Sequence, residues 1–112
     1  MHIKWIKCKD NKWCDLFKLN LEHDHFQDLK GVYIIFSGEK QAVRIGSGII
    51  GNRLREHREN QEIANHSNLR VTWAQVNANQ MEGVEAFLAD ELHPLTGERF
   101  PRRTKILVNL PW

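Results

Sequence analysis

The chain has 112 residues, 41% hydrophobic and 27% charged, with a formal net charge of +2. This is one small domain's worth of sequence with enough apolar content for a core, which argues against disorder and against a multi-domain layout. No apolar run approaches the ~20 residues of a membrane span, and MHIKWIKCKD lacks the apolar stretch of a secretory signal, so the expectation is a cytoplasmic protein with no membrane partner.

In chain order, IKWIKC (3–8) and LFKLNL (16–21) alternate weakly, in the manner of strands. Cys8 and Cys14 are too few for a disulfide framework, which predicts two reduced thiols beside a solvated EHDH loop. A zinc site from Cys8, Cys14, His23 and His25 matches no established ligand spacing. GVYIIFS (31–37) is β-branched and aromatic and predicts a strand. SGEKQ (37–41) reads as a turn and AVRIG (42–46) as the second arm of a hairpin. Residues 49–65 then predict a helix, 69–76 a strand, 80–92 a second helix stopped by Pro94, and 105–110 a closing strand. This order predicts an α+β domain with a small, mainly antiparallel sheet flanked by helices. Residues 1–30 read as an N-terminal extension packed on a domain of residues 31–112.

Gly46, Gly48 and Gly51 spell G-x-G-x-x-G, the pattern of a dinucleotide cradle. That reading requires a βαβ unit and an acidic residue about 20 positions on. Here the glycines follow a hairpin arm, and LRVTWAQ at that distance holds no acid. The helix after the glycines says more. With apolar anchors at Ile50 and Leu54, His57 and Gln61 fall within about 20° of Ile50 and Arg53 about 60° to one side. A core helix does not ordinarily bury such residues. In the second helix Met81, Val84, Leu88 and Leu92 form the apolar stripe, flanked by Glu85 and Glu91. The basic residues fall into two groups, Arg44, Arg53, Arg55 and Arg58, then Arg99, Arg102, Arg103 and Lys105. Either would suit a phosphate backbone.

Taken in order, GVY at 31–33, RIG at 44–46, Arg53 with His57, Glu85 followed by Pro94, and Asn109 resemble the GIY-YIG nuclease superfamily. One departure stands out: the second tripeptide of that family starts with Tyr, and here it starts with Arg44. The resemblance implies a small sheet between helices and metal-dependent phosphodiester hydrolysis. Tyr33, Arg44, Arg53 and His57 are then the catalytic group. Tyr33 is the base or water-orienting group, helped by the cations Arg44 and Arg53. Arg53 clamps the phosphate and His57 relays a proton near neutral pH. Glu85 holds a single Mg²⁺ (or Mn²⁺), weakly without substrate, and Asn109 is a possible accessory. Gly46, Ser47, Arg55 and Arg58 are expected to contact phosphate. The implied partner is nucleic acid, DNA ahead of RNA, with room for a targeting protein. The alternative is an inactive module that keeps the phosphate grip, because an arginine cannot take up a proton near neutral pH. The whole set is expected on one face of the sheet; an even-numbered hairpin connection would put Tyr33 and Arg44 together.

Overall fold

The computed structural model describes residues 1–38, 40–97 and 101–112. Four strands, β1 (Cys14–Asp15), β2 (Lys30–Ser37), β3 (Ala42–Ile49) and β4 (Leu69–Gln75), form one antiparallel sheet in the order β1-β4-β2-β3. Among the described residues three α-helices accompany them, α1 (Ile50–Arg58), α2 (Gln61–Ala64) and α3 (Met81–Leu92). The expected α+β class with a small antiparallel sheet is what is observed. Central β2 is buried on both faces, as its unbroken Val32–Phe36 run demands. Tyr33 and Ile35 face a core layer with Ile50 and Leu54 of α1, whereas Val32, Ile34 and Phe36 face a second layer with Val84 and Leu88 of α3.

Several boundaries differ from the sequence reading. The expected helix over 49–65 breaks after Arg58, and Asn60 starts α2 by accepting a hydrogen bond from the Glu62 N–H at 2.9 Å. The LFKLNL segment is a turn rather than a strand, since Asp15 accepts from the Phe17 and Lys18 backbones. IKWIKC forms no strand; Ile6 alone bonds to Trp73 of β4, at 2.9 Å. Residues 105–110 also form no strand. They run across α3, where the Ile106 N–H meets Gly83 O, and Asn109 clasps Ile3 with both ends of its amide (2.7 and 3.0 Å). The hairpin turn is closed by Ser37 N–H to Gln41 O at 2.9 Å, while Glu39 within it lies outside the described residues.

The expectation of two reduced thiols is corrected: Cys8 and Cys14 form a disulfide, with Cα atoms 5.1 Å apart. The physical reason is the intervening turn. Asp10 and Asn11 both take left-handed conformations (φ 60° and 59°), which short polar side chains tolerate, and this folds Cys8 back onto Lys12. His23 and His25 line the same groove as the two sulfurs, yet the zinc alternative fails on chemistry. His25 Nε2 accepts from Trp73 Nε1–H, and His23 Nδ1 accepts from the His25 N–H. Those two ring nitrogens are engaged, and both sulfurs are spent in the disulfide, so no thiolate is left for a metal.

Candidate functional site

The hairpin of β2 and β3 sets the geometry. Tyr33 pairs with Gly46 and Ile35 with Arg44, so Tyr33 and Arg44 point to the same face, although the three-residue connection between Ser37 and Gln41 is odd. A bulge follows between Ile35 and Phe36, where Phe36 pairs with Ala42 and Val43 is left over. The bulge matters because it lets Ala42 join the α3 face while Arg44 stays on the α1 face. β3 is the outer strand of the sheet, and Leu95 and Thr96 cover its Ala42–Val43 end by donating to the carbonyls there.

Gly46 explains how a fully buried tyrosine reaches that edge. A Cβ at position 46 would sit on the phenol oxygen and 2.6 Å from the ring carbon that carries it, so the ring lies flat across the glycine. The Tyr33 hydroxyl meets His57 Nε2 of α1 at 2.5 Å. Gly48 adopts φ +131°, closed to other residues, and the Arg53 stem passes beside it. The glycine pattern thus serves a close packing of Tyr33 and Arg53 against the strand edge.

Strand parity sends Ser47 the other way. It pairs with Val32 on the α3 face, and its hydroxyl donates to Glu85 Oε1 at 2.7 Å. Tyr33 and Glu85 therefore arise from opposite faces of the sheet. This corrects the expectation of a one-faced site. The two groups approach around the β3 edge, where Gly46 and Gly48 leave no side chains between them. The electrostatics show the proximity: Arg44 and Arg53 both act on the Tyr33 phenol and on the Glu85 carboxylate, and Glu85 acts on Tyr33. Glu91, the other flanking acid of α3, lies exposed.

Tyr33, His57 and Glu85 are each shifted mainly by burial. Burial pushes the Tyr33 phenol above its ordinary value; Arg53 and Arg44 oppose this without reversing it. The two arginines thus help the phenol in the expected direction, but burial outweighs them and Tyr33 keeps its proton near neutral pH. Burial, then Arg44, then Arg53 bring His57 down to about 4, so the imidazole is neutral at pH 7 and not half-protonated as a near-neutral relay would be. Burial also raises the Glu85 carboxyl, against the Ser47 hydrogen bond and the two arginines. The Arg44 and Arg53 side chains each hold a buried Nε–H with no acceptor among the described residues. On the solvent side, Arg53 meets Glu56 at 3.3 Å.

The remaining expected site residues are not brought here. Arg55 bonds Glu22 at 3.0 Å, Asn52 and Leu21 O, and Arg58 donates to the carbonyls of Leu16 and Leu19. The helix dictates this: two and five positions after Arg53 correspond to about 200° and 140° of rotation, away from the β3 edge. Both arginines staple α1 to the 16–22 segment. Asn109 is spent on the clasp to Ile3. In the second basic group Arg103 pairs with Glu82 at 2.6 Å and Lys105 with Asp90 at 2.8 Å, and Arg99 lies outside the described residues. Ser47, expected to contact phosphate, donates its hydroxyl to the Glu85 carboxylate. Its alternation with Gly46 along β3 was the signal for this.

No protein-family model, curated protein or solved structure matches this chain. Among the described residues no group of three or more His, Cys, Asp and Glu side chains stands together, and no helix is long and apolar enough to cross a membrane. Glu85 is thus a single carboxylate. With one oxygen held by Ser47 and the other without a protein hydrogen-bond partner among the described residues, it suits a hard cation that takes the rest of its shell from water and substrate.

The His57 shift gives a stability test. The folded pKa lies below the unfolded one, so between about 6.5 and about 4 the unfolded chain binds the extra proton and stability falls as pH falls. The full loss is at most about 3 kcal/mol. Glu85, shifted upward, acts in the opposite sense, so the informative quantity is the difference between wild type and His57→Gln. Urea unfolding from pH 7 to 4 should show the wild type losing stability relative to the variant. Parallel profiles would mean that His57 is not held neutral.

Proposed function

We propose that the β3 edge is a phosphodiesterase centre and that the protein is a metal-dependent endonuclease of the GIY-YIG kind. The observation that carries this reading is the pair of buried, unpartnered guanidinium N–H groups of Arg44 and Arg53, flanked by the Tyr33–His57 pair on one side and Ser47–Glu85 on the other. An orphaned buried donor costs about 1–3 kcal/mol, more when charged. Two at one centre are accounted for by an anionic ligand whose oxygens complete them. Arg44, in place of the phenol of the resembling family, adds a second guanidinium to the clamp.

The chain's own residues then divide the work. Arg44 and Arg53 hold the phosphate and neutralise charge gathering on its oxygens. With the Nε2 lone pair of neutral His57 turned to it, the Tyr33 hydroxyl donates there while its oxygen accepts from Arg53, which leaves one lone pair to orient an attacking water. As that water yields a proton to the phenol oxygen, the phenol proton passes to His57. Phosphate between the arginines cancels the charges that help hold His57 down, so substrate makes this imidazole a better acceptor. Ser47 fixes one oxygen of Glu85. A Mg²⁺ or Mn²⁺ on the other oxygen would supply Lewis-acid stabilisation of the reacting phosphate.

Arg53→Ala tests the reading. It should weaken nucleic-acid binding measurably and lower cleavage by about 10²-fold or more, the scale of a lost transition-state donor. Fluorescence anisotropy and a gel cleavage assay report the two effects. Unchanged binding and cleavage would remove Arg53 from the site.

A further inference from the structure

Net charge hides where the positive charge lies. Residues 1–18 carry five lysines against two aspartates, so this stretch is +3 in a chain that totals +2, and the rest of the molecule is net −1. Lys4, Lys7, Lys9, Lys12 and Lys18 are all exposed. None has an ion-pair partner among the described residues, whereas the basic side chains of α1 and of the C-terminal segment are largely engaged. Lys7, Lys9 and Lys12 sit on or beside one loop. The Cys8–Cys14 bond closes it, and the contacts Cys8 N–H to Lys12 O and Lys12 N–H to Lys9 O tighten it. Lys7 lies over the Trp13 ring at 4.5 Å from its centroid, and Phe17 beyond β1 is half-exposed.

We infer that this clasped lysine loop is a second contact surface for a polynucleotide backbone. The warrant is charge complementarity. Unpaired lysines held in one small loop give a local positive field that a polyanion neutralises with release of counterions, and the neighbouring exposed Phe17 offers a face to an unstacked base. The loop joins β1 at one edge of the sheet, and the proposed centre lies on β3 at the other. Three strand spacings separate them, about 14 Å, so one bound nucleic acid reaches both. The surface is independent of catalysis: it binds whether or not the β3 edge cleaves.

The test is Lys7→Gln/Lys9→Gln/Lys12→Gln in the full chain, with a fluorescent 20-base-pair DNA and the matching single strand, in EDTA across a salt series. The positions are exposed, and circular dichroism checks that the fold is kept. Binding at low salt should weaken about tenfold to a hundredfold, and the slope of log affinity against log salt should shrink by about 2 to 3, near 0.9 for each lost phosphate contact. Arg55→Gln, outside the loop, should change the slope by less than one such contact. Equal affinity and slope for variant and wild type would overturn the inference, as would a wild type that binds neither DNA. So would a variant that loses binding to phosphatidylserine vesicles while keeping DNA, which would assign the loop to a membrane surface. Absence of cleavage by wild type would count against the nuclease reading and leave this one standing.

Discussion

Glu85→Gln is expected to abolish metal-dependent cleavage while leaving nucleic-acid binding intact or tighter. The amide keeps the size of the carboxyl and can still accept from Ser47, so α3 should pack as before. What it lacks is the negative charge that holds a divalent ion. A metal supplies several kcal/mol at the transition state, and each 1.36 kcal/mol is tenfold in rate, so the loss should be about 10³-fold or more. Binding should survive because the substitution removes an anion from beside Arg44 and Arg53, the groups proposed to meet phosphate. Single-turnover cleavage and anisotropy on the same preparations separate the two effects. Equal losses of both would mean that Glu85 only supports the fold.

Gly46→Ala should have the largest structural effect at the centre. Its Cβ would overlap the phenol of Tyr33, a fully buried ring in the core layer of Ile50, Leu54 and Trp73. Overpacking of this kind costs about 1–3 kcal/mol, and the phenol must give up its place against His57. Thermal or urea unfolding reads the loss. Combining it with Tyr33→Phe, which removes the nearest clashing atom, should cost less than the sum of the two single changes. Additive losses would show that position 46 does not sense the phenol.

The sequence made the central elements legible because their signals are local. The Val32–Phe36 run gave β2, the apolar spacing of Val84 and Leu88 gave α3, and Ile50, Leu54 and His57 gave the inward face of α1. What was not legible depended on tertiary contacts. Asn109 looked like a site residue because only its place in the order was visible; its amide is used by Ile3, 106 positions away. Arg55 and Arg58 stood close to Arg53 in sequence, but helical rotation turns them toward the 16–22 turn. The disulfide depended on two left-handed residues between the cysteines, which composition does not announce. The distribution of Tyr33 and Glu85 over two faces follows from strand alternation, yet their approach around the edge depends on the absence of side chains at Gly46 and Gly48. The polar inward residues of α1 remain the clearest sequence mark of the site, since burial of His57 and the Arg53 Nε is what a packing role alone does not require.

The central claim is that the β3 edge hydrolyses phosphodiesters, and cleavage by the unaltered protein tests it most directly. Purified wild type is incubated with labelled single- and double-stranded DNA and RNA, with Mg²⁺ or Mn²⁺ and separately with EDTA, from pH 6 to 9. Cleavage of at least one substrate is expected with metal and none in EDTA. Binding without cleavage of any substrate under all of these conditions would contradict the claim.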